Sequence, residues 1–214
     1  LAAQRPALTE TRPANFAIIG NVAFSLVNFR GPLIEDIVAR GHRVFTLAPD
    51  FDEATKDAVR ALGAEPVDYS LSRTGLNPTR DFADCMRLYR TLRRLNIDCV
   101  LSYAIKPIIY GTLAARLIGI PGRFVLIAGL GYAFIDNGRS SLRKLAIHHT
   151  ARWLYRLALP KAEKIFVQNP DDADDLVRFG VSSREKIVRV NGTGVDLEVW
   201  KPAPPVLSPI TFTF

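Results

Sequence analysis

Short apolar segments alternate with amphipathic segments along most of this chain. Seven apolar runs have the length and composition of buried strands, and a segment with helical periodicity separates most of them. The predicted strands are residues 15–20, 43–48, 65–69, 98–102, 123–127, 164–168 and 186–190. Because each return to the next strand crosses over through a helix, hairpin-linked antiparallel strands are excluded. We therefore predict an α/β fold, a Rossmann-like doubly wound parallel sheet of about seven strands.

The first helix is predicted to begin at Pro32 and to end before Gly41, because proline is favoured in a first helical turn. This places residues 21–31 in a long loop after the first strand. The other predicted helices are residues 53–62, 79–95, 107–118, 140–159 and 171–179.

The loops that follow strands differ from the loops that follow helices. Loops after helices, such as residues 41–42 and 96–97, are short connectors. Loops after strands are mostly longer and richer in polar residues and glycine: residues 21–31, 49–52, 70–78, 103–106, 128–139 and 169–170. Open parallel sheets bind ligands at the carboxyl ends of their strands, so we expect the binding site at that edge.

The composition restricts the class of protein. Of the 214 residues, 48% are hydrophobic and 23% are charged, which is typical of a globular protein. Cys85 and Cys99 have no zinc-ligand spacing and predict no disulfide, which suits a reducing cytoplasm. No apolar run is long enough to cross a bilayer. The net charge of +7 indicates an acidic partner: a nucleic acid, an anionic membrane or a phosphorylated ligand.

Two cations lie in the loops that follow strands. Arg30 precedes the predicted helix start at Pro32, where it either contacts a phosphate or sugar hydroxyl or points into solvent. Lys106 precedes Pro107, so either its ammonium and the helix dipole form a diphosphate site or it is an ordinary surface lysine. The loop that holds Arg30 has no GxGxxG pattern, which argues against a dinucleotide site.

Two further loops contribute candidates. In residues 72–78, Asn77 is well suited to capping the next helix, besides any role in binding. In residues 128–132, two glycines either let a ligand approach the backbone closely or form a tight turn.

A basic segment follows, in which residues 139–164 hold seven lysines and arginines against one acid, Glu163. Apolar residues interleave with these cations, so the segment is either a basic amphipathic helix that contacts an anionic membrane or a solvated basic face. The candidate membrane contacts are Arg143, Lys144, Arg152, Trp153 and Arg156. The adjacent His148 and His149 diverge by about 100° on a helix and cannot chelate one metal ion.

Four stretches share their order and spacing with a known family. They are Asn28-Phe29-Arg30-Gly31-Pro32 with residues 39–44, residues 73–78, residues 105–111 with 127–131, and Gly192-Thr193-Gly194-Val195-Asp196 with residues 200–202. Together they resemble the retaining glycosyltransferases of family 4, whose GT-B fold consists of two facing Rossmann-like domains. Within that family the chain is similar to enzymes that extend undecaprenyl-diphosphate-linked sugars.

The resemblance implies that this chain is the N-terminal, acceptor-binding half of an enzyme of bacterial surface-glycan synthesis. It implies no metal and no cofactor, because the nucleotide-sugar donor is a substrate held mostly by the C-terminal domain. The expected acceptor-binding residues are Asn28, Arg30, Thr74, Asn77, Lys106, Gly129, Gly131 and Tyr132. Many relatives carry a histidine after the fifth strand, where this chain has Ala128-Gly129.

The expected organisation has four parts. Residues 1–14 form a flexible tail, residues 15–190 the Rossmann-like domain, residues 191–206 an interdomain hinge, and residues 207–214 the first strand of the donor domain. The expected partners are a lipid-linked or other saccharide acceptor, an anionic membrane surface and the C-terminal domain. Nucleic acid is not expected, because no strand combines aromatic and basic residues for base stacking. The expected location is cytoplasmic, on the inner face of the plasma membrane.

Two alternative functions share these features. One is an NAD-dependent sugar epimerase or dehydrogenase, which also has a parallel sheet. The other is a non-catalytic module that binds a membrane or a nucleotide.

Overall fold

The computed structural model of the chain describes residues 12–71, 78–130, 142–198 and 201. The strands are β1 (Asn15–Ile19), β2 (Arg43–Ala48), β3 (Glu65–Asp68), β4 (Cys99–Tyr103), β5 (Gly122–Ile127), β6 (Lys164–Val167) and β7 (Ile187–Arg189). The helices are α1 (Ala23–Ala39), α2 (Glu53–Ala61), α3 (Pro78–Arg94), α4 (Ile105–Ile118), α5 (Leu142–Ala158) and α6 (Pro170–Arg178). Short 3₁₀ turns occupy Leu159–Lys161 and Arg184–Lys186.

All seven strands lie in one parallel sheet with the order β3-β2-β1-β4-β5-β6-β7. The chain builds outward from β1 in one direction through β2 and β3, then returns to the other side of β1 with β4. The strand order therefore reverses between β1 and β4, and such a reversal opens a crevice at the carboxyl ends of the two strands. The predicted doubly wound parallel sheet is confirmed.

The two faces of the sheet are covered differently. On one face α3, α4 and α5 pack side by side, and their buried residues, such as Leu88, Ile109 and Tyr155, form the larger core cluster. On the other face α1 and α2 pack together, with Leu26, Ile34 and Val59 in a smaller cluster. No helix among the described residues is long and apolar enough to cross a membrane.

The predicted start of the first helix is wrong. Helix α1 begins at Ala23, so residues 23–31 are helical and Pro32 lies inside the helix. The buried residues Ala23, Leu26, Arg30 and Ile34 recur at helical spacing across the proline, and this packing outweighs the one backbone hydrogen bond that a proline removes. The loop after β1 is therefore short.

Both cysteines are buried and free of disulfide bonds. Burial raises the pKa of the Cys85 thiol to about 11 and that of Cys99 to about 12. Since the thiolate is the reactive form, both side chains behave as small apolar groups of the core. The predicted hinge boundary near residue 190 stays a prediction, and the predicted strand at residues 207–214 lies outside the described residues.

Candidate functional site

The crevice between β1 and β4 is closed at its base by Gly20 and Tyr103. Gly20 follows β1 directly and donates its N–H to the carbonyl of Leu47, 2.9 Å away. A Cβ at Gly20 would lie 2.7 Å from Cζ of Tyr103 and closer still to its hydroxyl. Glycine is thus required here so that the tyrosine ring can lie across the end of β1.

Tyr103 is held in place from several sides. Its hydroxyl lies 2.8 Å from Oγ of Ser25, and the guanidinium carbon of Arg30 lies 4.9 Å from its ring centre. Burial raises the pKa of Tyr103 to about 12. Nearby, Tyr69 donates its hydroxyl to the carbonyl of Gly20 at 2.7 Å, and burial also raises the pKa of Tyr69. Both tyrosine hydroxyls at the base of the crevice therefore stay protonated at neutral pH and are held by hydrogen bonds.

The residue after Tyr103 has a strained backbone. Ala104 has φ 69° and ψ 152°, a region that residues with a side chain rarely adopt. It is the N-cap of α4, and its side chain cannot satisfy the amide groups of the first turn. Such strain clusters at functional sites, and here it places the start of α4 at the edge of the crevice.

Replacing Ala104 with glycine is expected to raise the free energy of unfolding by about 1 kcal/mol, because glycine adopts this conformation without strain. The replacement Ala104→Val should lower it. Urea denaturation of the three proteins measures the difference. A glycine variant less stable than the wild type would show that Ala104 is not strained.

Lys106 lies in the first turn of α4, but it does not face solvent. Its ammonium donates to Oδ1 of Asp81 at 2.8 Å, and the two side chains are only 10% and 9% exposed. Asp81 belongs to the first turn of α3, so the ion pair joins the starts of two neighbouring helices. The cation of Lys106 is therefore part of a buried ion pair between α3 and α4. Direct binding of a diphosphate by Lys106 stays a prediction.

A second buried carboxylate lies one turn further along α3. Asp84 accepts hydrogen bonds from Ser70, at 2.7 Å, and from Arg87, at 3.0 Å. The adjacent Tyr110 of α4 has its pKa raised by burial and then by the negative charge of Asp81. These contacts attach the loop after β3 to α3 and so fix one wall of the crevice.

Arg30 is the other cation that the sequence placed at this edge. It lies within α1, not before it, and only 6% of its surface is exposed. Its Nη1 donates to the carbonyl of Phe29 at 2.9 Å and to Oγ1 of Thr193 at 3.1 Å. Burial lowers the pKa of Arg30. Arg30 lies on α1 and Lys106 on α4, so the two cations are on opposite faces of the sheet and do not form one joint site.

The sequence profile of Glycosyltransferase Family 4 matches residues 33–199. The chain belongs to Glycosyltransferase Family 4. A curated relative from Campylobacter jejuni, N,N'-diacetylbacillosaminyl-diphospho-undecaprenol alpha-1,3-N-acetylgalactosaminyltransferase, is 31% identical over 185 residues. That alignment covers 86% of this chain and 47% of the relative, so the chain spans about half the length of that enzyme.

Solved structures show the same fold at low sequence identity. A glycosyltransferase from Rickettsia africae superposes with a TM-score of 0.62 at 14% identity, over 88% of this chain and 45% of that one. The UDP-GlcNAc 2-epimerase from Methanocaldococcus jannaschii gives 0.51 at 12% identity, over 83% of this chain and 45% of that one. Since transferases and epimerases share the fold, the sequence match to Glycosyltransferase Family 4 decides between them.

The remaining residues that were expected to bind the acceptor in this member of Glycosyltransferase Family 4 are either exposed or lie outside the described residues. Asn28 is exposed on α1 and donates to the carbonyl of Phe24 at 2.9 Å. Gly129, just after β5, is exposed at φ 146°, and a Cβ there would meet nothing within 4 Å. Ala128, which precedes Gly129, is also exposed. Thr74, Asn77, Gly131 and Tyr132 lie outside the described residues.

Two arginines of the basic helix α5 contact Phe179, which follows α6. Arg152 stacks on the ring of Phe179 with its guanidinium carbon 4.4 Å from the ring centre, and Arg156 donates to the carbonyl of Phe179. Trp153 is 61% exposed and Leu157 is also exposed. The side chains of Arg143 and Lys144 lie outside the described part of the chain.

Sequence reasoning missed several residues of the crevice. Ser25, Tyr69 and Tyr103 were not singled out, although Tyr103 lies at the end of a strand, a position that can be read from the sequence. Exposed apolar side chains at this edge were also missed: Phe24, Phe82 and Ile105 lie within the first five residues of α1, α3 and α4. Among the described residues, no group of three or more His, Cys, Asp or Glu is placed to hold a metal ion.

Proposed function

We propose that this chain is the N-terminal, acceptor-binding half of a retaining glycosyltransferase. The enzyme transfers a sugar from a nucleotide-sugar to a saccharide carried on a polyprenyl diphosphate. The observation that carries the proposal is the 31% identity, over 86% of this chain, to an enzyme named for a diphospho-undecaprenol acceptor. The reaction uses no resident cofactor, because the nucleotide-sugar is consumed as a substrate.

The acceptor saccharide is placed in the crevice between β1 and β4. Neutral hydroxyl groups such as that of Ser25 suit hydrogen bonds with sugar hydroxyls, and the exposed backbone at Gly129 permits close approach. The apolar rim of Phe24, Phe82 and Ile105 suits the first isoprene units of the carrier.

The chemistry takes place when the donor-binding half closes over this edge. Closure removes water from the crevice and brings the acceptor hydroxyl to the sugar carbon that is attacked. Charged and hydrogen-bonding groups of the donor half stabilise the departing nucleoside diphosphate. In this arrangement Lys106 acts through Asp81, by holding the first turns of α3 and α4 at a fixed separation.

A transfer assay tests the proposal. The full-length gene product is incubated with radiolabelled nucleotide-sugars and an undecaprenyl-diphosphate saccharide, and the lipid-linked product is separated. We expect label to enter the lipid fraction only when the saccharide acceptor is present. Conversion of the nucleotide-sugar into its epimer in the absence of acceptor would instead indicate an epimerase. The proposal would then be abandoned.

A matched pair of variants tests the site. Ile105 and Leu117 are exposed apolar residues at opposite ends of α4, one at the crevice and one at the far edge of the sheet. We expect Ile105→Ser to raise the acceptor KM roughly 3- to 10-fold, because about 1 kcal/mol of apolar contact is lost. Leu117→Ser should leave it unchanged. Equal effects of the two substitutions would exclude the crevice as the acceptor site.

The enzyme is further proposed to work at the cytoplasmic face of the membrane, where α5 presents Trp153 and Leu157 to lipid. Both are exposed on a helix rich in cations, and tryptophan is favoured at the membrane interface. We expect Trp153→Ser to weaken binding to vesicles that contain anionic lipid by about tenfold, as measured by co-sedimentation. Leu117→Ser, which changes an exposed apolar residue of α4, serves as the control. Unchanged binding of Trp153→Ser would remove α5 from the membrane contact.

A further inference from the structure

Asp50 lies in the loop after β2 and contacts the start of α1. Its Oδ1 accepts a hydrogen bond from the backbone N–H of Ala23, 2.8 Å away, and the residue is exposed. Ala23 is the first residue of α1, whose N-cap Val22 makes no side-chain hydrogen bond and whose first turn contains no acid. A carboxylate from the neighbouring strand therefore satisfies this N–H group, in place of a capping side chain from the helix itself.

Asp50 belongs to the same edge of the sheet as the base of the crevice. Strand β2 pairs with β1, and β1 pairs with β4, so the loops after these strands lie side by side. Ser25, in the same first turn as Ala23, lies 2.8 Å from the hydroxyl of Tyr103. Burial raises the pKa of Tyr103 and Tyr69, and the negative charge of Asp50 adds a smaller contribution in the same direction. The carboxylate is therefore close to both tyrosines of the crevice.

Other carboxylates near this edge are placed differently. Asp81 and Asp84 of α3 are buried, so they are not accessible to a ligand in the crevice. Asp52 is exposed like Asp50, but it accepts the N–H of Thr55 at 2.8 Å and caps α2, which follows β2. Asp50 thus combines exposure with a position at the start of α1, beside the crevice.

A carboxylate in this position is well suited to binding a sugar. It has about four acceptor positions for hydrogen bonds, and its bonds with hydroxyl groups are charge-assisted. The contact with Ala23 restricts the rotation of Asp50, so less side-chain freedom is lost when a sugar binds. The same charge repels an anionic sugar, such as a uronic acid, more strongly in a crevice than in bulk water.

We infer that Asp50 is a specificity-determining residue of the acceptor site. Its carboxylate accepts hydrogen bonds from hydroxyl groups of the terminal sugar and disfavours acceptors whose terminal sugar is anionic. The inference rests on the proposed function, to which it adds a preference for an uncharged terminal sugar. Because the diphosphate of the carrier is also negative, the saccharide occupies the part of the crevice next to β2 and the diphosphate lies away from it.

Steady-state kinetics of the full-length gene product test the inference. Two polyprenyl-diphosphate disaccharides serve as acceptors, one ending in N-acetylglucosamine and the other in glucuronic acid. Asp50→Asn removes the charge but keeps an oxygen that can accept the N–H of Ala23. We expect this variant to raise the KM of the neutral acceptor roughly 3- to 10-fold. The preference for the neutral acceptor, measured as a ratio of kcat/KM values, should fall about tenfold.

Asp52→Asn is the matched control. It removes the same charge from an exposed position of the same loop, and asparagine can still cap α2. The acceptor KM and the preference should both stay at the wild-type values. Asp50→Glu keeps the charge and should retain the preference, even where the longer side chain weakens the contact with Ala23. Thermal unfolding followed by circular dichroism checks that all three variants are folded.

The outcomes separate this inference from the proposed function. An unchanged preference in Asp50→Asn, with transfer by the wild type intact, would show that Asp50 only caps α1. A loss of preference in Asp52→Asn as large as that in Asp50→Asn would assign the effect to the charge of the whole loop and overturn the role of Asp50. Absence of transfer by the wild type would refute the proposed function, and the inference would be abandoned with it.

Discussion

Replacing Lys106 by methionine is expected to lower the free energy of unfolding by about 3–5 kcal/mol. The substitution keeps the apolar stem but removes the ammonium that lies 2.8 Å from Asp81. Both side chains are about one-tenth exposed, so Asp81 would be left as a buried carboxylate without its cation. Urea denaturation followed by circular dichroism measures the loss.

The double variant Lys106→Met/Asp81→Asn separates the ion pair from the packing of the side chains. Asparagine keeps a hydrogen-bonding group at position 81 but removes the charge that needs a partner. We expect the double variant to recover most of the lost stability. If it were as unstable as Lys106→Met alone, the cost would come from packing and not from an unpaired charge.

Replacing Gly20 by alanine is expected to lower the free energy of unfolding by about 1–3 kcal/mol. The new Cβ would lie 2.7 Å from Cζ of Tyr103, well inside ordinary contact distance. The ring cannot move away easily, because Ser25 holds its hydroxyl and Arg30 lies against its face. Thermal and chemical denaturation both measure the effect.

The same substitution in a protein that lacks the tyrosine ring tests whether contact with Tyr103 causes the loss of stability. In a Tyr103→Leu protein the atoms that the new Cβ meets are absent, so Gly20→Ala should then cost little. If Gly20→Ala lowered the free energy of unfolding equally in both proteins, the strain would lie in the backbone at position 20 and not in contact with the tyrosine.

The fold could be predicted because the information that specifies it is local. Apolar runs of strand length separated by helical periodicities require crossovers, and crossovers require a parallel sheet. The start of α1 was the exception. Pro32 at a helix start is a sound general rule, but burial of Leu26 and Arg30 continues the helix upstream of it. Burial is a property of the folded sheet, which no single helix reveals.

The edge that carries the crevice could be predicted from the sequence, but the contacts within the crevice could not. The carboxyl edge follows from topology alone, and it is where the crevice lies. Lys106 and Arg30 looked like free cations because their partners are distant in sequence: Asp81 is 25 positions from Lys106, and Thr193 is 163 positions from Arg30. Only the packing of α4 on α3, and of the segment after β7 on α1, brings these groups together. The same reason explains why Ser25 and Tyr103 were missed.

The position of β1 in the middle of the sheet also bears on how the protein is made. Phe16 of β1 pairs with Cys99 of β4, 83 positions later. A ribosome adds about 5–20 residues per second, so roughly 4–17 seconds pass between the synthesis of these two neighbours. During that interval β1, β2 and β3 can pair, but β1 presents an open apolar edge of the kind that favours aggregation. The nascent chain therefore exposes this edge of β1 until β4 is made, and the crevice forms only when the two strands pair.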